Sequence, residues 1–119
     1  MIQKYNDSDP LKVIEVGYNE PTRILVFHSI PVEVDKLQEA LDIIKQYNEF
    51  DSKKVGEALT AEFGNDYEFV VGREYSPVVY VVPKTRTLFW IDQLKDLQKK
   101  ASIDEVAVTN EGTLRLWWD

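Results

Sequence analysis

The sequence contains no cysteine, and only one histidine and one methionine among its 119 residues. The absence of cysteine excludes disulfide bonds, thiolate nucleophiles and cysteine-ligated metal sites, and it favours a cytoplasmic location over a secreted one. With a single histidine, a zinc site would need carboxylates for most of its ligands, which is unusual. We therefore predict that the protein has no metal site and no other cofactor.

Long apolar runs and phosphate-binding motifs are also missing. No apolar stretch approaches the roughly 18 residues that a membrane span requires, and the first ten residues, MIQKYNDSDP, lack the apolar segment of a signal peptide. The five glycines form no phosphate-binding loop, and there is no Gly-x-Ser-x-Gly motif. These absences predict no membrane contact and leave the chain without a recognisable catalytic motif, so an enzymatic role is not favoured.

Charge and length set the broad class of the protein. The 21 acidic and 14 basic residues give a net charge of −7, which opposes binding to nucleic-acid phosphates. The 44% hydrophobic and 29% charged residues are typical of a globular protein. A chain of this length has the size of one domain, so we predict a single domain over residues 1–119, with residues 1–11 as a loose or wrapping N-terminal arm.

Hydrophobic periodicity predicts the element order β-β-α-α-β-β-α-β-β. The predicted helices cover residues 34–48, residues 52–63 and a segment that begins near Trp90 or Ile91. The predicted strands cover residues 11–18, 23–30, 67–72, 78–82, 105–109 and 113–118. Residues 19–22 have the composition of a hairpin turn, and residues 73–77 that of a longer loop. Asp35 with Gln38 is a candidate capping box for the first helix, and Asp51 or Ser52 with Gly64 would bound the second.

This order indicates an α+β fold with a mixed or antiparallel sheet and its helices on one face. From Arg23 onward it matches the split βαβ order of ferredoxin-like folds, with one extra strand at each end. Several strands are apolar on both faces, as the run from Val78 to Val82 illustrates. The sheet face without helices therefore needs a cover, which can be the N-terminal arm, a second copy of the chain in a homodimer, or a different protein.

Two groups of residues are candidates for binding a protein partner. On the first predicted helix, Asp35, Glu39 and Asp42 follow helical spacing together with Glu49, although such a stripe is usually a solvated helix face. The second group comprises Tyr80, Arg115 and Trp117. Trp117 and Trp118 are adjacent on a strand and must point to opposite faces, so Trp118 is predicted in the core with Leu114 and Leu116. An exposed tryptophan beside an arginine is a typical interface anchor, whereas packing of Trp117 under the N-terminal arm is the structural alternative.

A third group would serve a small ligand. His28 alternates with apolar residues on a strand. A histidine in such a position is more often a structural residue with its hydrogen bonds satisfied than a catalytic base. Arg73 and Tyr75 lie in one predicted loop between strands, and such loops bind anionic ligands in other proteins. His28, Arg73 and Tyr75 are therefore the candidate ligand-binding residues, and no residue is assigned a catalytic role.

Together these patterns favour a noncatalytic protein-binding domain. Small, acidic, cysteine-free domains suit inhibitors, immunity-type antidotes and adaptors, because such roles need a complementary surface and no reactive group. The predicted binding surface is either a sheet face or the acidic first helix. The alternative is a small-molecule-binding or enzymatic α+β domain with a pocket between the sheet and the helices.

Overall fold

A computed structural model describes residues 2–3, 13–19, 24–44 and 46–119, with side chains described from His28 onward. The helices are α1 (Val34–Leu41), α2 (Ser52–Phe63) and α3 (Ile91–Lys100). The strands are β1 (Ile2–Gln3), β2 (Val13–Asn19), β3 (Ile24–Ser29), β4 (Gln46–Tyr47), β5 (Phe50–Asp51), β6 (Tyr67–Glu74), β7 (Ser76–Pro83), β8 (Glu105–Val108) and β9 (Leu114–Trp117). None of the helices in this part of the chain has the length and apolar composition for crossing a bilayer.

The protein has an α+β fold built on an antiparallel sheet. Within the described residues the strand order of the main sheet is β1-β2-β3-β6-β7-β9-β8, and β4 and β5 form a separate small hairpin. The pairing of β2 with β3 confirms the predicted first hairpin, although its turn at residues 20–23 lies outside the described residues. Of the predicted arm, residues 2–3 pair with β2, and residues 1 and 4–11 are likewise outside them.

The ferredoxin-like strand arrangement is not confirmed. A split βαβ unit would require a helix crossover from β3 to a parallel strand, whereas β3 pairs antiparallel with β6, the next long strand of the chain. Two helices, α1 and α2, lie between these strands in the chain, in place of the single crossover helix of a split βαβ unit. All six pairings of neighbouring strands in the described sheet are antiparallel.

The first helix is shorter than predicted. It ends at Leu41, and a turn and the β4–β5 hairpin follow, with Asn48 at a φ of 50° between these two strands. Glu49 therefore lies in a hairpin turn and is not part of a helical stripe. The predicted capping box is also wrong, because Glu33 occupies the N-cap position and Asp35 lies inside the first turn.

The second and third helices match their predictions. Asp51 caps α2 by accepting hydrogen bonds from the backbone N–H groups of Lys53 and Lys54, at 3.0 and 3.4 Å. Gly64 follows the last residue of α2 at a φ of 61°, a conformation that glycine adopts without steric cost. The third helix begins at Ile91 with Trp90 as its N-cap residue.

The hydrophobic core lies between the helices and one face of the sheet. Buried residues of all three helices, such as Leu37, Leu59 and Leu97, share one cluster with Phe69 and Leu116 of the strands. Trp118 belongs to this cluster, as predicted. Its ring packs edge-to-face on Phe50 with centroids 5.0 Å apart, and its indole N–H donates to the carbonyl of Ala101 at 2.9 Å.

Candidate partner-binding site

The sheet face opposite the three helices carries most of the predicted site residues, and we call it the open face. Directly opposed residues of antiparallel strands share a face, so the strand register defines its members. The described residues of this face are His28, Glu68, Val70, Gly72, Glu74, Ser76, Val78, Tyr80, Val82, Glu105, Ala107, Arg115 and Trp117, of which Ser76 and Val78 are fully buried. Polar and aromatic groups are concentrated at the end where β6 turns into β7.

Glu74 is the centre of a hydrogen-bonded cluster on the open face. Its Oε2 accepts from His28 Nε2 and from the hydroxyl of Tyr80, both at 2.6 Å. Its Oε1 accepts from Arg115, with Nε at 3.3 Å and the terminal guanidinium nitrogen at 3.0 Å. Because a carboxylate only accepts hydrogen bonds, Nε2 of His28 carries the proton. One carboxylate thereby connects strands β3, β6, β7 and β9.

Two aromatic contacts complete this Glu74 cluster. The indole N–H of Trp117 donates to the backbone carbonyl of Glu74 at 3.1 Å. The rings of His28 and Tyr80 meet edge-to-face with centroids 5.8 Å apart. Trp117 is half-buried in this position, and its polar edge is satisfied while part of its ring faces solvent.

On the open face Gly72 lies between Glu74 and the row formed by Val70, Tyr80 and Arg115. On the open face Gly72 is the next residue along β6, and it lies directly opposite both His28 and Val78. Since glycine has no side chain, the carboxylate of Glu74 reaches towards β7 and β9 without obstruction. We therefore expect the cluster to require a small residue at position 72.

The cluster keeps Glu74 ionised. The hydrogen bond from His28 is the largest cause, and with the bonds from Tyr80 and Arg115 it outweighs burial and lowers the pKa of Glu74 from 4.5 to about 2. Burial, followed by the hydrogen bond to Glu74, raises the pKa of Tyr80. At neutral pH the cluster is therefore a carboxylate surrounded by bound donors, with His28, Glu74 and Arg115 only 31%, 25% and 26% exposed in their side chains.

The turn beside the cluster consists of one residue, Tyr75. The strands extend to Glu74 and Ser76, which pair with each other, so the five-residue loop predicted here is wrong. Tyr75 has a φ of 73° and is 60% exposed. Positive φ is costly for a residue with a bulky side chain. The turn of the β6–β7 hairpin therefore has a strained backbone at Tyr75, and this residue is exposed to solvent.

The structure divides the three predicted ligand-binding residues between two faces. His28 lies on the open face, whereas Arg73 lies on the helix-covered face with its guanidinium 4.7 Å from the ring centre of Tyr47. Arg73 also donates to the carbonyl of Tyr75 at 3.3 Å. Arg73 and Tyr75 are therefore neighbours, and His28 instead joins Tyr80, Arg115 and the Glu74 carboxylate.

The predicted acidic residues form a separate surface on α1. Asp35, Glu39 and Asp42 are all exposed. Glu39 lies 3.7 Å from the ammonium group of Lys36, and Asp42 accepts from the Gln38 side chain at 2.9 Å. Because α1 packs on the covered face of the sheet, these carboxylates lie on the opposite side of the sheet from Tyr80, Arg115 and Trp117.

Glu74 is the member of the site that the sequence prediction missed. It was placed in a loop, although the sequence held a signal for it. His28, Tyr80 and Arg115 are hydrogen-bond donors in strands with many apolar residues, and partly buried donors need an acceptor. Glu74 is a carboxylate just beyond the end of the predicted strand 67–72. Its spacing of two from Gly72 would place both residues on the same face if the strand continued.

The comparisons with known proteins give no match: no family model, no curated protein and no solved structure resembles this chain significantly. Among the described residues, no three or more histidine, aspartate or glutamate side chains are grouped so that they could hold a metal ion. Any functional conclusion therefore depends on the geometry of the surfaces themselves.

Proposed function

We propose that this protein is a noncatalytic protein-binding domain that acts as an inhibitor, an immunity-type antidote or an adaptor. The proposed binding surface is the end of the open face at the β6–β7 turn. The observation that carries the proposal is Tyr75, which is 60% exposed and has a backbone φ of 73°.

The positive φ of Tyr75 lowers the free energy of unfolding, and folding alone does not explain why a tyrosine occupies this position. Residues in sparsely populated backbone regions cost about 1–3 kcal/mol each, and they cluster at functional sites. Glycine would relieve the strain at this turn, and Tyr75 at 60% exposure leaves more of its surface in water than it buries. A tyrosine in this conformation supports a role for its side chain in binding.

The neighbours of Tyr75 have the composition of an interface centre. Tyrosine, tryptophan and arginine are the residue types enriched among those that dominate binding energies. Tyr80, Arg115 and Trp117 all hydrogen-bond to Glu74, the residue before Tyr75. The Glu74 cluster fixes their positions across four strands. A surface that is already rigid loses less conformational entropy when a partner binds.

The same cluster gives little support to catalysis at this site. A general base needs a pKa near the working pH and a free acceptor position. The carboxylate of Glu74 has a pKa of about 2 and accepts from three side chains. The small-molecule or enzymatic alternative, with His28, Arg73 and Tyr75 as its residues, also has less support because these side chains do not converge on one pocket.

The experiment uses a photo-crosslinking phenylalanine analogue at position 75 in living cells. We expect a discrete crosslinked product at this position and none with the same analogue at Glu57, an exposed residue of α2 on the helix side. A product of twice the chain mass would identify a second copy as the partner. Equal crosslinking at both positions, or none at position 75, would contradict the proposal.

The purified partner then allows a quantitative test with Tyr75→Gly. The free energy of unfolding of this variant should equal that of the wild type or exceed it by up to about 1 kcal/mol, because the strain at φ 73° is removed. Its affinity for the partner should fall at least tenfold, as for the loss of an anchor residue. Charge reversal at Asp35, Glu39 and Asp42 is the control. If only the reversal weakens binding, the acidic face of α1 is the interface.

A further inference from the structure

A second candidate site lies at the opposite end of the sheet from Tyr75. A cleft of about 630 Å³ opens where β7 and β8 end and β9 begins, between residues 84–89 and the turn at residues 110–113. Its volume falls within the range of about 300–1,000 Å³ that is usual for small-molecule sites. Ser76 and Pro83 bound β7, so this cleft lies about 23 Å along the strand from the β6–β7 turn.

The cleft has an apolar wall. Its apolar side chains are those of Val82, Pro83, Leu88, Phe89 and Val108. Leu88 is 78% exposed and Val108 is 51% exposed, which is high for large apolar side chains. Phe89 is half-buried and packs on Phe63 and Tyr67 of the core, with centroids 6.3 and 6.2 Å away. The apolar part of a bound ligand would cover Leu88 and Val108 and so exclude water from them. Phe89, which packs on the core, would fix the position of this apolar wall.

The charged groups of the cleft have the opposite balance to the whole chain. Lys84, Arg86 and Glu111 line it, which gives a local charge of +1 in a protein of net charge −7. Lys84 is already paired with Glu33. Among the described residues, no salt bridge involves Arg86, which is exposed on the rim of the cleft. The hydroxyl-bearing residues Thr85, Thr87 and Thr113 also line the cleft.

We propose that this cleft binds a small organic anion, with its apolar body on Phe89, Leu88 and Val108 and its anionic group on Arg86. Guanidinium binds carboxylate, sulfonate and phosphate groups through paired hydrogen bonds, which makes Arg86 the residue that selects charge. The inference is independent of the proposed protein-binding function, because the two sites lie at opposite ends of β7.

The probe for this site is anilinonaphthalene sulfonate, an apolar aromatic body with one negative charge and a fluorescence that rises on binding. We expect saturable binding to the folded wild type, and affinity about tenfold lower for Arg86→Gln. Lys53→Gln is the matched control, because it removes the same charge from an exposed residue outside the cleft. Phenylnaphthylamine, which lacks the sulfonate, should bind the wild type and Arg86→Gln equally.

Amide NMR shifts locate the bound probe. The inference is supported if the shifts caused by the sulfonate concentrate on residues 84–89 and 108–113. It is overturned if the wild type shows no saturable binding, or if Arg86→Gln and Lys53→Gln change the affinity equally. Shifts that concentrate instead on Tyr80, Arg115 and Trp117 would also overturn it and would assign the probe to the open face.

Discussion

The two faces of the antiparallel sheet are stabilised by different interactions. On the covered face, Phe69, Val79 and Leu116 are fully buried against apolar side chains of the helices. On the open face, the same strands β6, β7 and β9 are joined by directional hydrogen bonds to the single carboxylate of Glu74. Alternate residues of one strand therefore belong to two environments with different physical chemistry.

This difference determines how each face responds to conditions. Burial of apolar surface is non-directional, tolerates small shifts in position and does not depend on protonation. The Glu74 cluster depends on charge and on distances of 2.6–3.3 Å, so it responds to pH and to single-atom changes. A surface of the second kind has fixed side-chain positions, which suits recognition of a partner.

The largest expected effect comes from the covered face. Phe69→Ala should lower the free energy of unfolding by about 3–5 kcal/mol, because it removes a fully buried ring and leaves a cavity. Chemical denaturation at pH 7 and at pH 4 should give the same loss, since no titratable group is involved. A loss that changes strongly with pH would show that the two faces are coupled.

Glu74→Gln tests the open face and should lower the free energy of unfolding by about 2–3 kcal/mol at pH 7. The amide presents an N–H₂ group to donors that need an acceptor, and it removes the charge that pairs with Arg115. The folded-state pKa is lowered from 4.5 to about 2. The stability that this carboxylate contributes is therefore fully present above pH 4.5 and is lost as the pH falls through 2.

The measurement is the difference in unfolding free energy between wild type and Glu74→Gln from pH 7 down to pH 2. That difference should shrink below pH 4.5, because the unfolded wild type takes up a proton before the folded one. Glu105→Gln is the control, since its carboxylate is 65% exposed and 3.9 Å from Arg115. Its effect should stay below about 1 kcal/mol. Equal effects of the two substitutions would contradict a special role for Glu74.

Local periodicity and turn chemistry predicted most elements of the fold. The α2 helix, with Asp51 and Gly64 at its ends, follows its local sequence signals closely. The first helix was overextended because Ile44 continues its apolar spacing, although it lies in the turn after Leu41. The strand order was missed because element order alone does not fix direction. Whether β6 enters parallel or antiparallel to β3 depends on how α1 and α2 pack, which is a tertiary property.

The candidate site was predicted in parts that the structure combines differently. Alternation correctly separated Trp117 from the buried Trp118. The hypothesis that grouped Tyr80 with Arg115 names two residues that the strand register sets opposite each other. His28 was assigned to a different group because its neighbour across the sheet was unknown. Once β3 is placed beside β6 and β9 beside β7, donors far apart in sequence meet around Glu74. Long-range strand pairing, which a single sequence does not encode locally, is thus the missing information.

The smallest expected effect comes from Gly72→Val, which should lower the free energy of unfolding by about 1–2 kcal/mol. This variant tests whether the open face depends on the path of the Glu74 side chain. Strand propensity alone predicts that valine stabilises a central strand position relative to glycine. We expect the opposite sign, because a side chain at position 72 occupies the space between His28 and Val78 that Glu74 crosses. In the Glu74→Ala background the same valine should be neutral or stabilising, and the coupling between the two substitutions isolates the clash. If valine stabilises both backgrounds equally, the carboxylate reaches its donors by another path, and the open face tolerates change more like the covered one.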